Sequence, residues 1–382
     1  MHIVIIGGGI GGHALAIALK QRSIDCTLFE RAAAPREIGA GLTLWPNALR
    51  FLEDWGLATT VIARGSEILR AEIRDARGRV LASTTNTSLR ERAGQPVVGI
   101  HRATLLGVMN QALDPEQARW GMTCETVEQN GEGVAAGFAD GSETRGDLLI
   151  GADGLRSVVR TAILGDEPPR YADETSWRGV ASTDVVGLTI PDGLAIECWG
   201  QGTRFGCLRI HDDQIYWYAT HMEPAGGAES AAEARATVLE LFRDYASPVP
   251  DLIAATPDFA IVRTDLHDRP PRRPWVVGRI GLLGDAAHPT TPNLGQGACL
   301  AIEDAGVLAE CLVNFPNPLE ALRQYESRRF HRVARIVRES RKIGEFSQAR
   351  HPWACFARDW AVRLTPSWLL ERTITRAVLE PP

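Results

Sequence analysis

HIVIIGGGIGG, residues 2–12, is the stretch whose reading decides the fold. His2 to Ile6 is an unbroken, largely β-branched run, the pattern of a strand buried on both faces. Gly7, Gly9 and Gly12 carry GxGxxG directly after it, and His13 to Gln21 continues as a helix rich in Ala and Leu. Cys26 to Phe29 is a second strand, ending in Glu30. Together these are the βαβ dinucleotide fingerprint in its required context. Gly7 permits the tight turn, Gly9 lets a pyrophosphate approach the backbone, and Gly12 lets the helix pack close to the sheet. Glu30 is placed to bind ribose hydroxyls, and its charge repels a 2′-phosphate. The fingerprint alone does not choose between NAD and FAD.

A second ligand-holding stretch lies far along the chain. Residues 278–305 read GRIGLLGDAAHPTTPNLGQGACLAIEDA. The apolar run Ile280 to Leu283 predicts a strand, and Ala298 to Leu312 predicts a helix. Gly295 and Gly297, in the loop between, let backbone N–H groups approach a ligand. The helix N-terminus adds unpaired donors and a partial positive charge. Asp285, at the strand end, accepts hydrogen bonds from hydroxyls.

The totals narrow the function classes. With 382 residues, 45% hydrophobic and 23% charged, the chain has globular composition and room for two or three domains. Its net charge of -6 argues against a nucleic-acid surface. Seven cysteines are scattered without a CxxC pair, so neither a disulfide framework nor a zinc site is expected, and a reducing compartment, the cytoplasm, fits. No apolar run reaches the roughly 18 residues of a membrane span, and no basic n-region precedes the first strand.

Three blocks carry a resemblance: GGGIGG…FER from Gly7 to Arg31, DLLIGADGLRSVVR from Asp147 to Arg160, and Gly281 to Ala305. In order and spacing they resemble the class A flavin-dependent aromatic monooxygenases, the para-hydroxybenzoate hydroxylase-like family, across nearly the whole chain. The resemblance implies tightly bound FAD, with NADH or NADPH as a transient reductant. It implies a cofactor site built from Gly7, Gly9, Gly12, Glu30, Arg31, Arg102, Asp153, Asp285, Gly295, Gln296 and Gly297. Arg102 opens a helix and matches the family arginine at the FAD phosphate or flavin region, and Asp153 would sit near the adenosine–pyrophosphate part. Arg160 either supplies positive charge or pairs with an acid. Ile38 to Ala48 is a loop entering a helix, either near the flavin ring or simply capped by Asn47 or Thr43. No second GxGxxG precedes a helix, so a dedicated NAD domain is not expected.

Between about Glu167 and Pro270 the texture changes to short aromatic runs split by turn signals: Trp177 to Asp184, Ala195 to Gly200, Arg204 to Ile210 and Ile215 to His221. An antiparallel sheet is predicted there, joined by strands near Ile68 to Leu81, with a peripheral helix from Ser230 to Tyr245. The fold class is α/β: a Rossmann-like FAD-binding domain (1–69, 98–166 and 271–345), an inserted antiparallel-sheet substrate domain (70–97 and 167–270) and C-terminal helices (346–382). Alternation puts Arg204 with Gly206 and Leu208, and Tyr216 with Tyr218. The urate-hydroxylating branch has an arginine and a tyrosine at the spacing of Arg204 and Tyr216. These are the candidate substrate residues, with Arg178, Trp199 and His221 behind them. Pro292 would shape the oxygen-reacting side.

After the loop, Tyr325, Arg328, Arg329 and Arg332 lie where the family braces its flavin domain, and their charge is expected to form a solvated face. Trp353, Phe356, Trp360 and Leu364 form one helical stripe, read as core packing or a dimer contact. The resemblance implies oxygen transfer from a flavin C4a-hydroperoxide to a small electron-rich aromatic substrate, O₂ being the second partner, by a monomer or homodimer. Alkene epoxidation, a flavoprotein reductase and a non-catalytic escort protein share the blocks, although the intact Gly295-Gln296-Gly297 loop opposes the last.

Overall fold

A computed structural model describes residues 1–34, 40–183, 190–227 and 229–380. The fingerprint strand His2–Ile6 lies inside a six-stranded sheet, flanked by Leu148–Gly151 and Asp25–Glu30. Ile280–Leu282 follows Leu148–Gly151, Val276–Val277 closes that edge, and Ala118–Trp120 closes the other. Every pair is parallel except Val276–Val277 with Ile280–Leu282. Ile3, Val4 and Ile5 have no exposed surface, as a strand covered on both faces requires.

A seven-stranded sheet stands apart from it, in the order Val262–Asp268, Arg170–Ser182, Gln214–His221, Thr203–His211, Leu194–Trp199, Arg70–Asp75 and Val80–Thr85. Its pairs are antiparallel, save one. Leu194–Trp199 runs parallel to Arg70–Asp75, because those two strands come from distant parts of the chain and share no hairpin. Its own apolar core joins Trp177, Phe205 and Trp217 to the helices Ala231–Phe242 and Val249–Ala255. Ser230 and Glu233 form a capping box at the first of these helices.

Several expectations are corrected. Ile38 and Gly39, the start of the loop read as entering a helix, and Asp184, the end of one predicted strand, lie outside the described residues. Gly41–Leu44 is a strand paired with Val98–His101, because its backbone groups need partners inside the protein. The helix after it, Pro46–Asp54, has Trp45 at its N-cap; neither Asn47 nor Thr43 caps it. A three-stranded sheet of Cys124–Gln129, Val134–Phe138 and Glu143–Gly146 was not anticipated, since its alternation is short and mostly polar.

The basic segment is a single helix, Pro318–Ser347, and only part of its charge is a solvated face: Arg328 is exposed, whereas Arg329 and Arg332 turn inward. Arg329 is 0% and Arg332 5% exposed. Arg329 joins Asp304 at 2.7 Å and Glu303 at 2.7 Å, and Arg332 holds Glu303 at 2.7 and 3.0 Å. His288 Nε2 meets Asp304 at 2.5 Å. The helix stripe is not core either: Trp353, Phe356, Trp360 and Leu364 are exposed, because Pro352–Leu364 turns Arg358 and Val362 inward instead. Among the described residues no helix is long and apolar enough to cross a membrane.

Burial alone would raise the Asp304 carboxyl, but His288 and Arg329 outweigh it and hold the group at about 2. Asp304→Asn should therefore cost about 3 kcal/mol of unfolding free energy in urea near neutral pH, because it breaks a buried ion cluster. The folded pKa lies below the ordinary 3.8, so the unfolded chain takes up the proton first on acidification. That contribution, on the order of 2 kcal/mol, is complete above about pH 4 and fades as pH falls toward 2. The variant should accordingly show a flatter acid limb.

Candidate active site

The first and second blocks meet at Gly7. Its φ is +108°, and a Cβ there would stand 2.5 Å from the Ala152 carbonyl oxygen. A Cβ on Gly12 would stand 1.9 Å from the Gly7 oxygen, so the helix can start this close to the turn only with glycine. Gly9 differs: nothing lies within 4 Å of where its Cβ would be. It opens onto free space at the start of the helix Ile10–Lys20. The second and third blocks meet through Leu283, whose N–H donates to Gly151, and through Arg160. Arg160 is buried and donates to the carbonyls of Ala286 and Ala287 at 3.2 and 3.3 Å, bracing the turn that carries Asp285.

Charged groups surround that open space. Glu30 accepts from the Gly8 N–H at 2.6 Å and the Ala32 N–H at 2.8 Å, so it also fixes the glycine turn. Arg31 is exposed. Arg102 follows His101, whose Nδ1 caps the helix by accepting from Ala103 at 3.2 Å. Crowding by protein lowers the Arg102 pKa, while the carboxylates of Asp285 and Glu30 act in the other direction. Protein packed around Asp285 raises its pKa, against the pull of His288 and Arg102. Its side chain still reaches water. Asp153 accepts from Val158 at 2.8 Å through Oδ2, whereas its Oδ1 is buried with no partner. A buried carboxylate oxygen with a free lone pair asks for a donor that the protein does not supply.

The third block supplies the other end. Gly295 sits at φ +60°, a left-handed conformation that opens directly into the helix Gly297–Asn314. Gln296 is 2% exposed and accepts from Asn47 Nδ2 at 3.0 Å; the same amide donates to Glu303 at 2.8 Å. Pro292 is exposed and begins the short turn Pro292–Leu294.

The large sheet presents its polar face through cross-strand rows. Arg178, Tyr218, Gly206 and Glu197 form one row, and Ser176, Thr220, Arg204 and Trp199 the next. A bulge at Ile210 decides this: without the extra residue, Arg204 would pair with His221 and share a face with Trp217. Arg204 and Tyr216 do share a face, but Tyr218 stands between them, its ring 5.8 Å from the Arg204 guanidinium. Tyr216 packs instead over Gly41, where a Cβ would lie 2.4 Å from the ring. His221 points to the opposite face. Arg204 is 1% exposed and reaches out of its sheet to Asn293 at 2.5 Å, beside Pro292, and to Ser347 at 3.1 Å. Tyr218 donates to Glu197 at 2.5 Å. Asn293, Tyr218 and Glu197 were not among the candidates; the bulge at Ile210 shifts the register that sets Tyr218 beside Arg204, Glu197 comes from a neighbouring strand, and a lone Asn in a loop carries no signal.

The model of the FAD binding domain family matches residues 1–340. The chain belongs to this family, as a class A flavin monooxygenase. It is 41% identical over 365 residues to aurachin C monooxygenase/isomerase of Stigmatella aurantiaca, covering 96% of this chain and 94% of that one. It is 33% identical over 373 residues to the FAD-dependent urate hydroxylase of Klebsiella pneumoniae, covering 97% and 94%. The solved structure of Klebsiella pneumoniae HpxO complexed with FAD and uric acid matches with a TM-score of 0.94 at 32% identity, over 100% of this chain and 97% of that chain. The enzyme is an FAD-dependent monooxygenase. Its residues fit the cofactor: the space beside Gly9, the orphaned Asp153 oxygen and the free donors after Gly295 are what a dinucleotide would fill.

Gly9 offers a clean test, because its backbone is extended and a side chain there meets no protein atom. Gly9→Val should leave the melting temperature of the apoprotein nearly unchanged and weaken FAD binding at least about tenfold, read from flavin absorbance after gel filtration. Gly12→Ala should instead damage the apoprotein itself.

Proposed function

We propose that the enzyme hydroxylates a small electron-rich aromatic or heteroaromatic compound, using O₂ and transiently bound NADH or NADPH, in the cytoplasm. The observation that carries this reading is Arg204, a buried guanidinium that bridges the substrate-side sheet and the Pro292–Leu294 turn. A fixed, desolvated donor fork at that seam suits an anionic or carbonyl-bearing ring. The urate hydroxylase relatives, at 33% identity, support the same substrate class. We assign residues 1–69, 98–166 and 271–345 to cofactor binding, 70–97 and 167–270 to the substrate, and 346–382 to C-terminal support.

Bound FAD supplies the redox chemistry that activates O₂. Gly7, Gly9, Gly12, Glu30, Arg31, Arg102, Asp153, Asp285, Gly295, Gln296 and Gly297 would hold it. The N-terminal pole of Gly297–Asn314 favours negative charge on the reduced cofactor. Pro292 narrows the oxygen-reacting side. Tyr216, over Gly41, closes an apolar wall that excludes water. Burial, reinforced by the Glu197 carboxylate, pushes the Tyr218 hydroxyl well above its ordinary range, so it stays a phenol. Tyr218 can take a substrate hydroxyl proton on its oxygen as its own proton passes to Glu197.

Two experiments check this. NAD(P)H oxidation should be stimulated by members of a panel of phenols, aromatic acids and purines, with ¹⁸O from ¹⁸O₂ in the product; an epoxide from an alkene and none from the ring compounds would reverse the substrate assignment. Arg204→Ala should retain FAD yet lose at least about a hundredfold in kcat/KM, while Asp285→Ala should lose FAD. Unimpaired turnover by the Arg204 variant would take Arg204 out of the site.

A further inference from the structure

Four arginines converge on the surface formed by the helices Pro46–Asp54, Thr87–Ala93 and Ser367–Leu379. Arg50 and Arg92 line a cleft of about 490 Å³. Arg92, Arg372 and Arg376 line an abutting one of about 590 Å³, together with Ser88 and Trp368. Leu379 also belongs to both. Among the described residues, none of the four arginines makes an ion pair or hydrogen bond. Arg50 is the most telling, because its Nε and Nη2 are shut off from water with no partner. The nearest interior acid, Glu303, is already committed to Arg329 and Arg332. Among the described residues two acids stand on the cleft walls, Glu371 and Glu380, and Glu380 is held by Arg335. Arg50, stacked over the Phe51 ring at the inner end, and three exposed guanidiniums at the mouth leave the double cleft with an excess of positive charge.

We propose that this double cleft is a second ligand site, for an organic diphosphate of the nucleotide class. Guanidinium forks match phosphate oxygens in pairs. Two clefts joined at Arg92 suit an elongated anion rather than a single small ion. Trp368, 60% exposed at the outer cleft, offers a flat face on which a base can stack. The inner cleft also reaches the cofactor loop, because Asn47 lines it and donates to Gln296 at 3.0 Å. Occupancy is thus felt one hydrogen bond away from Gly295 and Gly297. The site stands on its own geometry and does not depend on which compound is hydroxylated.

The test is calorimetric titration of the FAD-saturated enzyme, so that the fingerprint glycines are already covered. Inorganic pyrophosphate, ADP and NADP⁺ are titrated separately at low salt, each up to about 10 mM. One site is expected, weakened at least about tenfold in Arg92→Ala and in the double variant Arg372→Gln/Arg376→Gln, and weakened by added salt. All three arginines are exposed, and retained flavin absorbance and melting temperature show that the variants are folded. Binding of NADP⁺ with the same losses would identify a dinucleotide as the occupant; binding of ADP without NADP⁺ would identify a free nucleotide. No binding of any of the three, or affinities unchanged in the double variant, would overturn the proposal.

Discussion

Glu303 and Asp304 are neighbours on one helix, and neither has any exposed surface. Two adjacent carboxylates survive in a protein interior only if cations reach both of them. Arg329 and Arg332 come from the long helix Pro318–Ser347, and His288 comes from the loop that begins with Asp285. Asp304 also accepts from the Gly284 N–H at 3.1 Å. This cluster therefore ties the end of the strand, the loop and two helices into one body. The loop before Gly297 is tied to it as well, since Gln296 and Glu303 share the amide of Asn47.

The cluster lies behind the turn that carries Asp285 and the loop that carries Gly295. In front of it lie the glycine turns of the first and third blocks and the carboxyl groups of Asp153 and Asp285. Gly9 leaves room, Gly295 turns the chain, and Asp153 keeps an unused acceptor. The large sheet closes the space from the other side, and Arg204 is the strut between the halves. Its contacts to Asn293 and Ser347 come from the loop and from the end of the long helix, so a shift of either would move it. Burial would lower the guanidinium pKa, yet Glu197 and Tyr218 raise it, and the charge is kept.

Much of the FAD-binding fold was legible along the chain. A β-branched run followed by GxGxxG has few physical solutions, because glycine spacing answers a local steric demand. The succession of strand, acid and glycine loop in residues 278–305 is equally local. The seven-stranded sheet was legible only in outline. Alternation placed Arg204 and Tyr216 on strands, but one bulge at Ile210 decided that the arginine shares a face with the tyrosines and not with Trp217. The charged helix misled for the opposite reason. Arg329 and Arg332 resemble any solvated arginines in sequence, and their partners are 25 to 29 residues away.

By itself, then, the sequence determined the backbone conformations that only certain residues tolerate: the glycine turns, the buried parallel strands and the hairpins. Those are contests settled within a few residues by steric exclusion and hydrophobic period. Tertiary structure alone decided which charges are buried, which arginines are left without an acid and which side chains face one another across the seam. Those outcomes depend on desolvation and on partners brought together from distant segments, and no local pattern records them.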